Sequence, residues 1–577
     1  MCGIFSLLNH NGSKLESNDI YESFMKGKKR GPDHSVVDNV SINTIFGFHR
    51  LAINGLNMRS NQPMYLGNLC LICNGEIYNY KEIYSILNIE PLTDSDCEVI
   101  LHCYKKFGIE YTLELLDGVF SFLLLDNDPK TTKLFVARDP FGVRPLYIMK
   151  PTNDVKTIGF SSEMKSLINL CDTTQKIQHF PPGSYSQYVL PNHVNPDWNI
   201  ELENIKYFNK AFTSVYQMKH NILEEYSMND ILKSVKNHLT NAVYKRCATT
   251  DRPIACLLSG GLDSSLITAL VCSYFPDKQI ETYAIGLQGS VDLLHATKAA
   301  EYLKTKHTNI TITKEEYLNA IPEVIYAIES YDTTTVRASV GNYLVSKYIS
   351  EHSDAKVIFN GDGSDELFGG YLYVNAAPNC LEFDNECRSL LTNIHKYDVL
   401  RSDKSISSNG LEARTPFLDR SFTQYVLSLP PQLRFLTGEL DFFTRCKYVE
   451  KFLLRAAFDE TMYVNYNPEN IREQILPEEI LWRSKEAFSD GVCDVSENIN
   501  TIIENHVKTL EIELRTYDIN NPQTLEQEYY RSIFEQHYKD QGHIIEHFWM
   551  PKFLEAKDPS ARTLSIYREF EPLEKSL

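Results

Sequence analysis

Short apolar runs separated by turn residues fill the first third of the chain. Their length and their content of β-branched and aromatic residues predict β-strands. Examples are Thr44–His49, Leu69–Cys73, Val119–Leu125 and Lys133–Ala137. Two segments with helical spacing of apolar residues, Asp19–Lys28 and Cys97–Phe107, lie between these runs. Blocks of strands with helices between them predict layered sheets covered by helices over residues 1–195.

The pattern changes near residue 229. Apolar positions in Ile231–Tyr244 have helical spacing, and Ile254–Leu258 is an apolar run typical of a buried strand. A glycine-rich loop follows, and then a second predicted helix at Leu266–Phe275. This alternation predicts an α/β domain with a parallel sheet over residues 229–577. Residues 196–228 between the two regions are polar and irregular, and we interpret them as a linker.

The composition excludes several classes of protein. The chain has 577 residues, with 57 Lys and Arg against 76 Asp and Glu, which gives a net charge of −19. Such an acidic chain is a poor binder of nucleic acid and of anionic membranes. No apolar run approaches the ~20 residues of a membrane span, and the first residues lack the pattern of a signal peptide. Among the 13 Cys, the one pair with CxxC spacing, Cys70 and Cys73, sits among apolar neighbours, so we expect reduced thiols in a cytoplasmic protein.

Cys2, directly after Met1, is the first candidate for chemistry. Removal of Met1 would place a thiol and a free α-amino group on one residue. The amine has an ordinary pKa of ~7.7–8.0 and the thiol one of ~8.5, so the amine can accept the proton of the thiol. A nucleophile activated by its own amino group is a known catalytic arrangement. A cysteine at position two also occurs by chance, so this prediction depends on further residues.

Four further segments follow Cys2 in order: Arg30–Asp33, His49–Ile53, Asn74–Asn79 and Asp94–Glu98. Together with Cys2, they resemble the glutaminase domain of the N-terminal-nucleophile amidotransferases. That resemblance implies an αββα sandwich for the first domain. It also implies that this domain binds glutamine and hydrolyses its side-chain amide.

The resemblance implies a role for individual residues. Arg50 would bind the carboxylate of glutamine, and Asp96 would bind its α-ammonium group. The Asn74 side chain and the Gly75 N–H would stabilise the oxyanion that forms at the amide carbon. The implied glutamine-binding set is Arg50, Leu51, Ala52, Ile53, Asn54, Asn74, Gly75, Glu76 and Asp96. Each motif also has a purely structural interpretation: Asn-Gly as a turn, Arg50 as a surface charge and Asp96 as a helix cap.

A second chemical centre follows the strand Ile254–Leu258. The sequence Ser259-Gly260-Gly261-Leu262-Asp263-Ser264-Ser265 leads from this strand into a helix. Glycines at such a turn let backbone N–H groups approach an anion, and the helix dipole favours negative charge. No Lys follows the glycines, so the loop is not a GxxxxGK[ST] P-loop. It resembles the pyrophosphate loop of the ATP pyrophosphatases, in which Asp263 would help to hold Mg²⁺.

Four later segments extend the resemblance: Tyr331–Ala338, Asn360–Tyr371, Glu412–Asp419 and Trp482–Gly491. With the N-terminal half, they resemble the glutamine-hydrolysing asparagine synthetases over almost the whole chain. The resemblance implies that the side-chain carboxylate of aspartate attacks the α-phosphate of MgATP, which forms β-aspartyl-AMP and pyrophosphate. Ammonia released at Cys2 would then pass through an internal tunnel to the activated carbonyl. ATP would be a substrate, and no prosthetic group is implied.

The same resemblance implies site residues in the second domain. Asp362 and Lys485 would be catalytic, the lysine by offsetting phosphate charge. Asp365 and Arg337 would bind aspartate. The implied ATP-binding positions are Leu257, Ser259, Gly260, Gly261, Asp263, Ser264, Ile285, Asn360 and Gly361. The expected partners are therefore glutamine, aspartate and ATP, and the sequence leaves the oligomeric state open, with a homodimer as one alternative.

One departure from the family pattern bears on the rate. The family usually has Ser-Gly-Glu where this chain has Asn360-Gly361-Asp362. The carboxylate of Asp362 is shorter by one methylene, about one C–C bond of ~1.5 Å. A misplacement of ~1 Å can lower a rate ~100-fold. A non-catalytic homologue is therefore a competing hypothesis, which Cys2 and Lys485 oppose.

Two other enzyme classes share parts of the pattern. A glucosamine-phosphate synthase or a phosphoribosyl amidotransferase would have the same N-terminal domain. Neither forms an adenylate, so the segment Ser259–Ser265 argues against both. A β-lactam-forming synthetase would account for the C-terminal half, but that group typically lacks the N-terminal Cys that this chain has.

Overall fold

A computed structural model provides the structure. It describes residues 1–577 except 12, 14, 192–195, 211–226, 436–449, 464–473, 486–490, 492–497, 557, 561–563 and 565–577. The predicted linker and the segment Trp482–Gly491 therefore lie partly outside the described residues. Among the described helices, none combines the length and the apolar character that crossing a membrane requires.

Two six-stranded antiparallel sheets form the N-terminal domain. Its strands are β1 Gly3–Leu8, β2 His34–Ser41, β3 Thr44–Arg50, β4 Met64–Leu66, β5 Leu69–Ile77, β6 Gly118–Asn127, β7 Thr132–Arg138, β8 Tyr147–Met149, β9 Ile158–Ser161, β10 Ile177–His179, β11 Ser184–Leu190 and β12 Asn199–Lys206. The first sheet has the order β10-β8-β9-β1-β3-β2, and the second has the order β12-β11-β7-β6-β5-β4.

The helices of this domain are α1 Ser17–Met25, α2 Tyr80–Leu87, α3 Val99–Phe107 and α4 Ile109–Leu115, with 3₁₀ turns at Lys28–Arg30, Met58–Ser60, Asp96–Glu98, Met164–Ser166 and Ile168–Leu170. Strand β5 shows how they complete the layers. Its Cys70 and Ile72 pack in the apolar cluster between the sheets, whereas Leu71 and Cys73 pack in the cluster that contains residues of α2, α3 and α4. The predicted αββα sandwich is confirmed.

The first domain extends beyond the predicted boundary at residue 195. Strand β12 pairs antiparallel with β11, and Trp198 just before it is buried and donates its indole N–H to the Thr44 hydroxyl at 2.9 Å. The segment predicted as the linker 196–228 therefore begins with domain structure. The strand is hard to predict because it is a solvent-exposed edge strand whose sequence, Asn-Ile-Glu-Leu-Glu-Asn-Ile-Lys, is mostly polar.

The C-terminal domain is built on a five-stranded parallel sheet, as predicted. Its strands are β13 Ile254–Leu257, β14 Glu281–Leu287, β15 Lys306–Ile312, β16 Val357–Phe359 and β17 Glu412–Arg414. The order β15-β14-β13-β16-β17 reverses direction between β13 and β16. In open parallel sheets, the crevice at the carboxyl ends of two such strands is the usual place for a ligand.

Helices surround this sheet. They are α5 Met228–Ala248, α6 Leu262–Tyr274, α7 Val291–Leu303, α8 Lys314–Ile328, α9 Thr333–His352, α10 Ser364–Phe368, α11 Cys380–Asn393, α12 Asp398–Ser407, α13 Arg420–Ser428, α14 Phe452–Phe458, α15 Glu478–Leu481, α16 Ile499–Lys508 and α17 Leu525–His537. The 3₁₀ turns are Leu372–Ala376, Ile394–Lys396, Pro416–Leu418, Pro431–Leu433, Glu460–Met462 and Gly542–Ile544.

Buried charges join the two domains. Glu329 of the C-terminal domain has no solvent exposure, and it accepts the backbone N–H groups of Met164 and Lys165 at 2.8 Å each. It also pairs with the ammonium group of Lys404, which lies 3.3 Å from Glu163 of the first domain. Buried charges are tolerated only when they are paired, so this network favours one relative placement of the domains.

We predict that Glu329→Ala lowers stability strongly, because it removes one of the two carboxylates beside Lys404 and leaves two buried backbone N–H groups without an acceptor. The expected loss is about 3–5 kcal/mol. Urea unfolding followed by circular dichroism measures it. The matched control is Glu479→Ala, in an exposed pair with Lys298, for which about 0–1 kcal/mol is expected. Equal midpoint shifts for the two variants would contradict this account of the interface.

Candidate active sites

The first site is centred on Cys2, immediately before β1. Its Sγ lies 3.6 Å from the backbone oxygen of Leu51. Burial raises the pKa of the Cys2 thiol, so the thiol requires a base to become a nucleophile. The Met1 ammonium group lies 3.0 Å from the backbone oxygen of Leu411, and burial lowers its pKa to about 5. While Met1 is present, the nitrogen of Cys2 is a peptide nitrogen and cannot act as that base.

Arg50 and Asp96 place opposite charges on either side of one residue, Asn54. The Arg50 guanidinium donates to the Asn57 carbonyl at 2.9 Å, to Asn61 Oδ1 at 2.6 Å and to the Asn54 carbonyl at 3.4 Å. The Oδ1 atom of Asp96 accepts a hydrogen bond from the Asn54 side-chain amide at 3.3 Å. Among the described residues, Arg50 has no carboxylate partner and Asp96 has no cationic one.

Asp96 is a buried carboxyl group whose pKa is raised towards neutral pH. Its Oδ2 accepts the Ile77 N–H at 2.6 Å, and its side chain is almost fully buried. Burial raises the pKa of Asp96 to about 6, although the Ile77 and Asn54 hydrogen bonds oppose the shift. An ammonium group bound next to Asp96 would favour the ionised form. Arg50 and Asp96 thus bring one cation and one carboxylate to Asn54, while the terminal nitrogens of Arg50 donate to neutral oxygens of the segment Asn54–Asn61.

Ser162 connects Asn74 to the strand that follows Cys2. The Ser162 hydroxyl accepts the Ile4 N–H at 3.1 Å and the Asn74 amide at 3.4 Å. At Gly75, a Cβ would lie 2.4 Å from the Val119 carbonyl oxygen, so only glycine fits there. The predicted oxyanion donors therefore lie on β5, close to the beginning of β1.

The segment after Arg50 is hydrogen-bonded to the C-terminal domain. The Ala52 carbonyl accepts from Arg252 Nε at 2.8 Å, and the Ile53 carbonyl accepts from the Asp251 N–H at 3.0 Å. Glu76 accepts the Asn54 amide at 2.5 Å and lies 3.5 Å from the Arg414 guanidinium. The predicted glutamine-binding residues therefore lie at the domain interface.

The second site lies at the carboxyl ends of β13 and β16, which are adjacent. The loop Ser259–Gly261 follows β13 and leads into α6, and the loop Asn360–Gly363 follows β16. A Cβ on Gly361 would lie 2.7 Å from the Asp263 Cβ, so glycine allows these loops to approach each other. At Gly260, φ is +72°, a backbone conformation that favours glycine.

These loops border a cavity of about 1430 Å³, a volume that includes its open mouth. The predicted residues that line it are Leu257, Ser259, Gly261, Asp263, Ser264, Ile285, Asn360, Gly361, Asp362, Asp365 and Lys485. The loops after β13 and β16 therefore face one shared space together with charged side chains. Gly260 does not line the cavity, and it contributes through the shape of the loop.

Two lysines and two carboxylates alternate across the cavity. Lys451 Nζ lies 2.6 Å from Asp263 and 2.6 Å from Asp365, and Lys485 lies 2.8 Å from Asp365. Burial alone would raise the pKa of Asp365, but Lys451 and Lys485 lower it below the usual range. Burial likewise opposes the charge of Lys485, and Asp365 raises the pKa of this lysine above its usual value. Asp365 and Lys485 are therefore both charged at neutral pH.

Lys451 was missed by the sequence reasoning. It lies two residues after the segment 436–449, which is outside the described part of the chain, and no motif surrounds it. Its φ is +58°, an uncommon backbone conformation for a lysine, and it begins helix α14. A Cβ on Gly370 would lie 2.1 Å from both Lys451 Cε and Asp365 Oδ1. The absence of a side chain at Gly370 therefore leaves room for the Lys451–Asp365 pair.

The residues present fit a magnesium ion. Asp263 Oδ1 is buried and has no hydrogen-bond partner among the described residues, while Oδ2 binds Lys451. Carboxylate oxygens are the ligands that Mg²⁺ prefers, usually one or two from the protein with phosphate oxygens and water.

Family models match both domains of this chain. A model described as a glutamine amidotransferase domain matches residues 1–227, and one described as asparagine synthase matches residues 234–386 and 375–557. Curated proteins named asparagine synthetase [glutamine-hydrolyzing] are 40% identical over 590 residues in Gallus gallus and 39% identical over 594 residues in Homo sapiens. Each comparison covers 98% of this chain and 99% of the relative. The chain belongs to the glutamine-hydrolysing asparagine synthetase family.

The solved structures that match this chain in shape have lower sequence identity to it than these relatives. An NH3-dependent NAD synthetase from Campylobacter jejuni has a TM-score of 0.19 and 19% identity over 29% of this chain and 75% of its own. An NMN synthetase from Francisella tularensis has a TM-score of 0.20 and 14% identity over 42% of this chain and 99% of its own. The family assignment rests on the sequence matches alone.

For a member of the asparagine synthetase family, Asp362 and Asn360 are the notable residues of the cavity. Asp362 Oδ1 pairs with the Arg401 guanidinium at 3.1 Å, and the Asn360 amide donates to the Ser402 hydroxyl at 2.6 Å. Both partners belong to helix α12. The loop with the two unusual residues is therefore attached to one helix at two consecutive positions, and Arg401 is a second cavity residue that the sequence reasoning missed.

Arg337 is not brought into the cavity. Its guanidinium binds Glu526 through two nitrogens at 2.8 and 2.7 Å, and it binds Asp558 at 2.9 and 2.8 Å. Its side chain is 3% exposed. Two carboxylates occupy its donors, so the expectation that Arg337 binds aspartate is not supported, and its contacts instead join α9 to α17 and to the segment near residue 558.

We predict that kcat/KM for glutamine hydrolysis falls as the pH is lowered through about 6. Protonation of free Asp96, whose pKa burial raises to about 6, removes the negative charge expected to bind the α-ammonium group. Initial rates of glutamate formation between pH 5 and 8 measure this. The control is Asp96→Asn, which should have a low kcat/KM without this titration. An unchanged profile in that variant would assign the titration to another group.

Proposed function

We propose that this protein makes asparagine from aspartate, with glutamine as the nitrogen donor and ATP as the source of energy. The products would be asparagine, glutamate, AMP and pyrophosphate. The observation that carries the proposal is the alternating array Asp263–Lys451–Asp365–Lys485 at the switch point of the parallel sheet. A cavity with this charge pattern suits a polyphosphate, a metal ion and an amino acid together.

In the first step, the Cys2 sulfur attacks the side-chain amide carbon of glutamine. Arg50 and Asp96 hold the α-carboxylate and the α-ammonium group, which positions the amide at the thiol. The Asn74 amide and the Gly75 N–H offset the negative charge on the amide oxygen. The carbon–nitrogen bond breaks, ammonia leaves, and water then hydrolyses the thioester to glutamate. With Met1 removed, the free amine of Cys2 would be the base: it would take the proton of the thiol and pass it to the leaving nitrogen, which departs as ammonia.

In the second step, a side-chain carboxylate oxygen of aspartate attacks the α-phosphorus of ATP. The phosphorus–oxygen bond to pyrophosphate breaks, and β-aspartyl-AMP forms. Asp263 would hold Mg²⁺, which neutralises the departing pyrophosphate when bound. Lys451 and Lys485 offset the remaining phosphate charge, and the N-terminus of α6 directs backbone N–H groups at the phosphates.

In the third step, ammonia attacks the carbonyl carbon of β-aspartyl-AMP. The carbon–oxygen bond breaks, AMP leaves with that oxygen, and the nitrogen loses a proton. Helix α12 supports transfer of ammonia within the chain, because it contacts residues of both sites: Arg401 binds Asp362, and Asp403 binds Arg30 at 2.7 Å. Arg30 in turn donates to the Cys2 carbonyl at 2.8 Å. A cytoplasmic location and a homodimer remain predictions from the sequence.

We predict that Cys2→Ala abolishes glutamine-dependent asparagine synthesis, with a loss on the order of 10⁴-fold or more, because the nucleophile is removed. Synthesis from added ammonium should continue at the wild-type rate, since ammonia from solution does not need the thiol. Asparagine formation with each nitrogen source measures both activities. Cys171→Ala removes a thiol outside the site and should change neither rate. Loss of both activities in folded Cys2→Ala would contradict the division between two sites.

We predict that Asp362→Ala lowers pyrophosphate release by about 100-fold, because it removes one of the two carboxylates that pair with Arg401 and misplaces the loop. Asp362→Glu should lose far less, since it keeps the charge. Adding Asn360→Ser to Asp362→Glu should give a better enzyme than the two single effects predict, because neighbouring sites couple. Pyrophosphate release at saturating aspartate is the measurement. Asp277→Ala, at an exposed carboxylate, is the control, and a wild-type rate for Asp362→Ala would exclude a role for Asp362.

A further inference from the structure

A second large cavity lies between the two domains. Its walls come from residues 178–182 and 206–210 of the N-terminal domain and from residues 388–396 and 543–546 of the C-terminal domain. With its open mouth, it has a volume of about 1580 Å³. It shares no lining residue with the cavity at the parallel sheet. We call it the interdomain cleft.

The charge of the interdomain cleft is opposite to that of the chain. Lys206, Lys210, Arg388 and Lys396 line it, with Glu546 as the carboxylate among the lining residues. The whole chain has a net charge of −19. A concave surface lined by one sign of charge concentrates counter-ions of the other sign. This cleft therefore attracts anions on a protein that otherwise repels them.

Two of these cations are not neutralised. Arg388 pairs with Asp384, and Lys396 pairs with Glu546. In the described part of the chain, by contrast, neither Lys206 nor Lys210 has a carboxylate within ion-pair distance.

Lys210 is the more constrained of these two lysines. Its Nζ donates to the Thr392 hydroxyl at 2.7 Å. Burial, together with the nearby Lys206 and Arg388 charges, lowers the pKa of Lys210 to about 8. An anion bound beside Lys210 would offset this repulsion.

Histidine rings in the cleft present buried nitrogens without partners. Both ring nitrogens of His179 are buried and have no hydrogen-bond partner among the described residues, and the same holds for His543 Nδ1. The ring of His179 meets that of His395 edge-on, with centroids 5.4 Å apart. A buried polar atom without a partner is costly, so these nitrogens indicate a site for a water or for a ligand with hydrogen-bonding oxygens.

One wall of the cleft is apolar. Phe208, which is buried, lies there with Pro181, Pro182 and Ile544. An inorganic anion gains no binding free energy from contact with an apolar surface, whereas the carbon part of an organic molecule gains it by burying its own apolar surface there. Lys206 and Lys210, which have no carboxylate partner in the described part of the chain, together with the histidine nitrogens and the apolar wall, suit a ligand with phosphate groups at one end and carbon at the other.

We propose that the interdomain cleft binds a small organic phosphate, with Lys206 and Lys210 on the phosphate groups and Phe208 against the carbon part. Because both domains supply walls, a bound molecule would bridge them and stabilise their docked arrangement. The proposal does not depend on the reaction proposed above, because none of these residues belongs to either catalytic site.

The test is isothermal titration of the full chain with fructose 1,6-bisphosphate as the probe. We expect one site per chain, and Lys206→Ala/Lys210→Ala should bind at least tenfold more weakly. The matched control is Lys105→Ala/Lys106→Ala, which removes two exposed lysines of α3 and should bind as the wild type does. Circular dichroism and glutamine hydrolysis establish that each variant is folded.

Two further titrations distinguish the alternatives. A saturating non-hydrolysable ATP analogue should leave the binding of the bisphosphate unchanged, because the two cavities are separate. Inorganic phosphate should bind at least tenfold more weakly than the bisphosphate, because it does not contact the apolar wall. Competition by the ATP analogue, equal binding of inorganic phosphate, or equal losses in the two double-lysine variants would each overturn the proposal. Absence of saturable binding in the wild type would also overturn it.

Discussion

The ion pair between Arg30 and Asp403 is the contact on which the arrangement of both sites depends. One Arg30 guanidinium donates to the Cys2 carbonyl at 2.8 Å and to Asp403 at 2.7 Å, across the domain interface. Its side chain is 2% exposed, so these charges have little water to compensate them. Arg30 also binds Glu163 of its own domain at 2.8 Å, whereas the two cations beside Asp403, Arg30 and Arg144, both come from the N-terminal domain. Separation of the domains would therefore leave the buried Asp403 carboxylate without these partners. The position of the nucleophile is thereby tied to the docked state of the two domains.

Helix α12 carries this constraint into the second site. Arg401 and Ser402 contact the loop with Asp362 and Asn360, and Asp403 one residue later contacts Arg30. Successive side chains point in different directions around a helix, so one short helix can contact two sites at once. The loop after β16 and the residues around Cys2 are therefore connected through this one helix. A displacement of the helix would change the surroundings of both sites.

The sequence predicts what is encoded locally. Strand β5, the glycine loop after β13 and the residues Cys2 and Asp263 stand in short continuous motifs, and their elements form as expected. The long-range partners could not be predicted in this way. Lys451 reaches Asp263 across 188 positions, and nothing in its neighbours indicates that contact. Arg337 stands in a recognisable motif, but two distant carboxylates take up its donors. Strand β12 was missed because an exposed edge strand needs no apolar pattern.

The central claim is that the cavity at the parallel sheet activates a carboxylate by adenylation. It can be tested with aspartate that carries ¹⁸O in both side-chain carboxylate oxygens, supplied with glutamine and MgATP. Attack on the α-phosphorus leaves one of these oxygens on AMP when ammonia displaces it, and the other remains in the amide of asparagine. Mass spectrometry should find one ¹⁸O in each molecule of AMP formed and one in each molecule of asparagine. Unlabelled AMP, or the release of ADP and phosphate instead, would contradict the account.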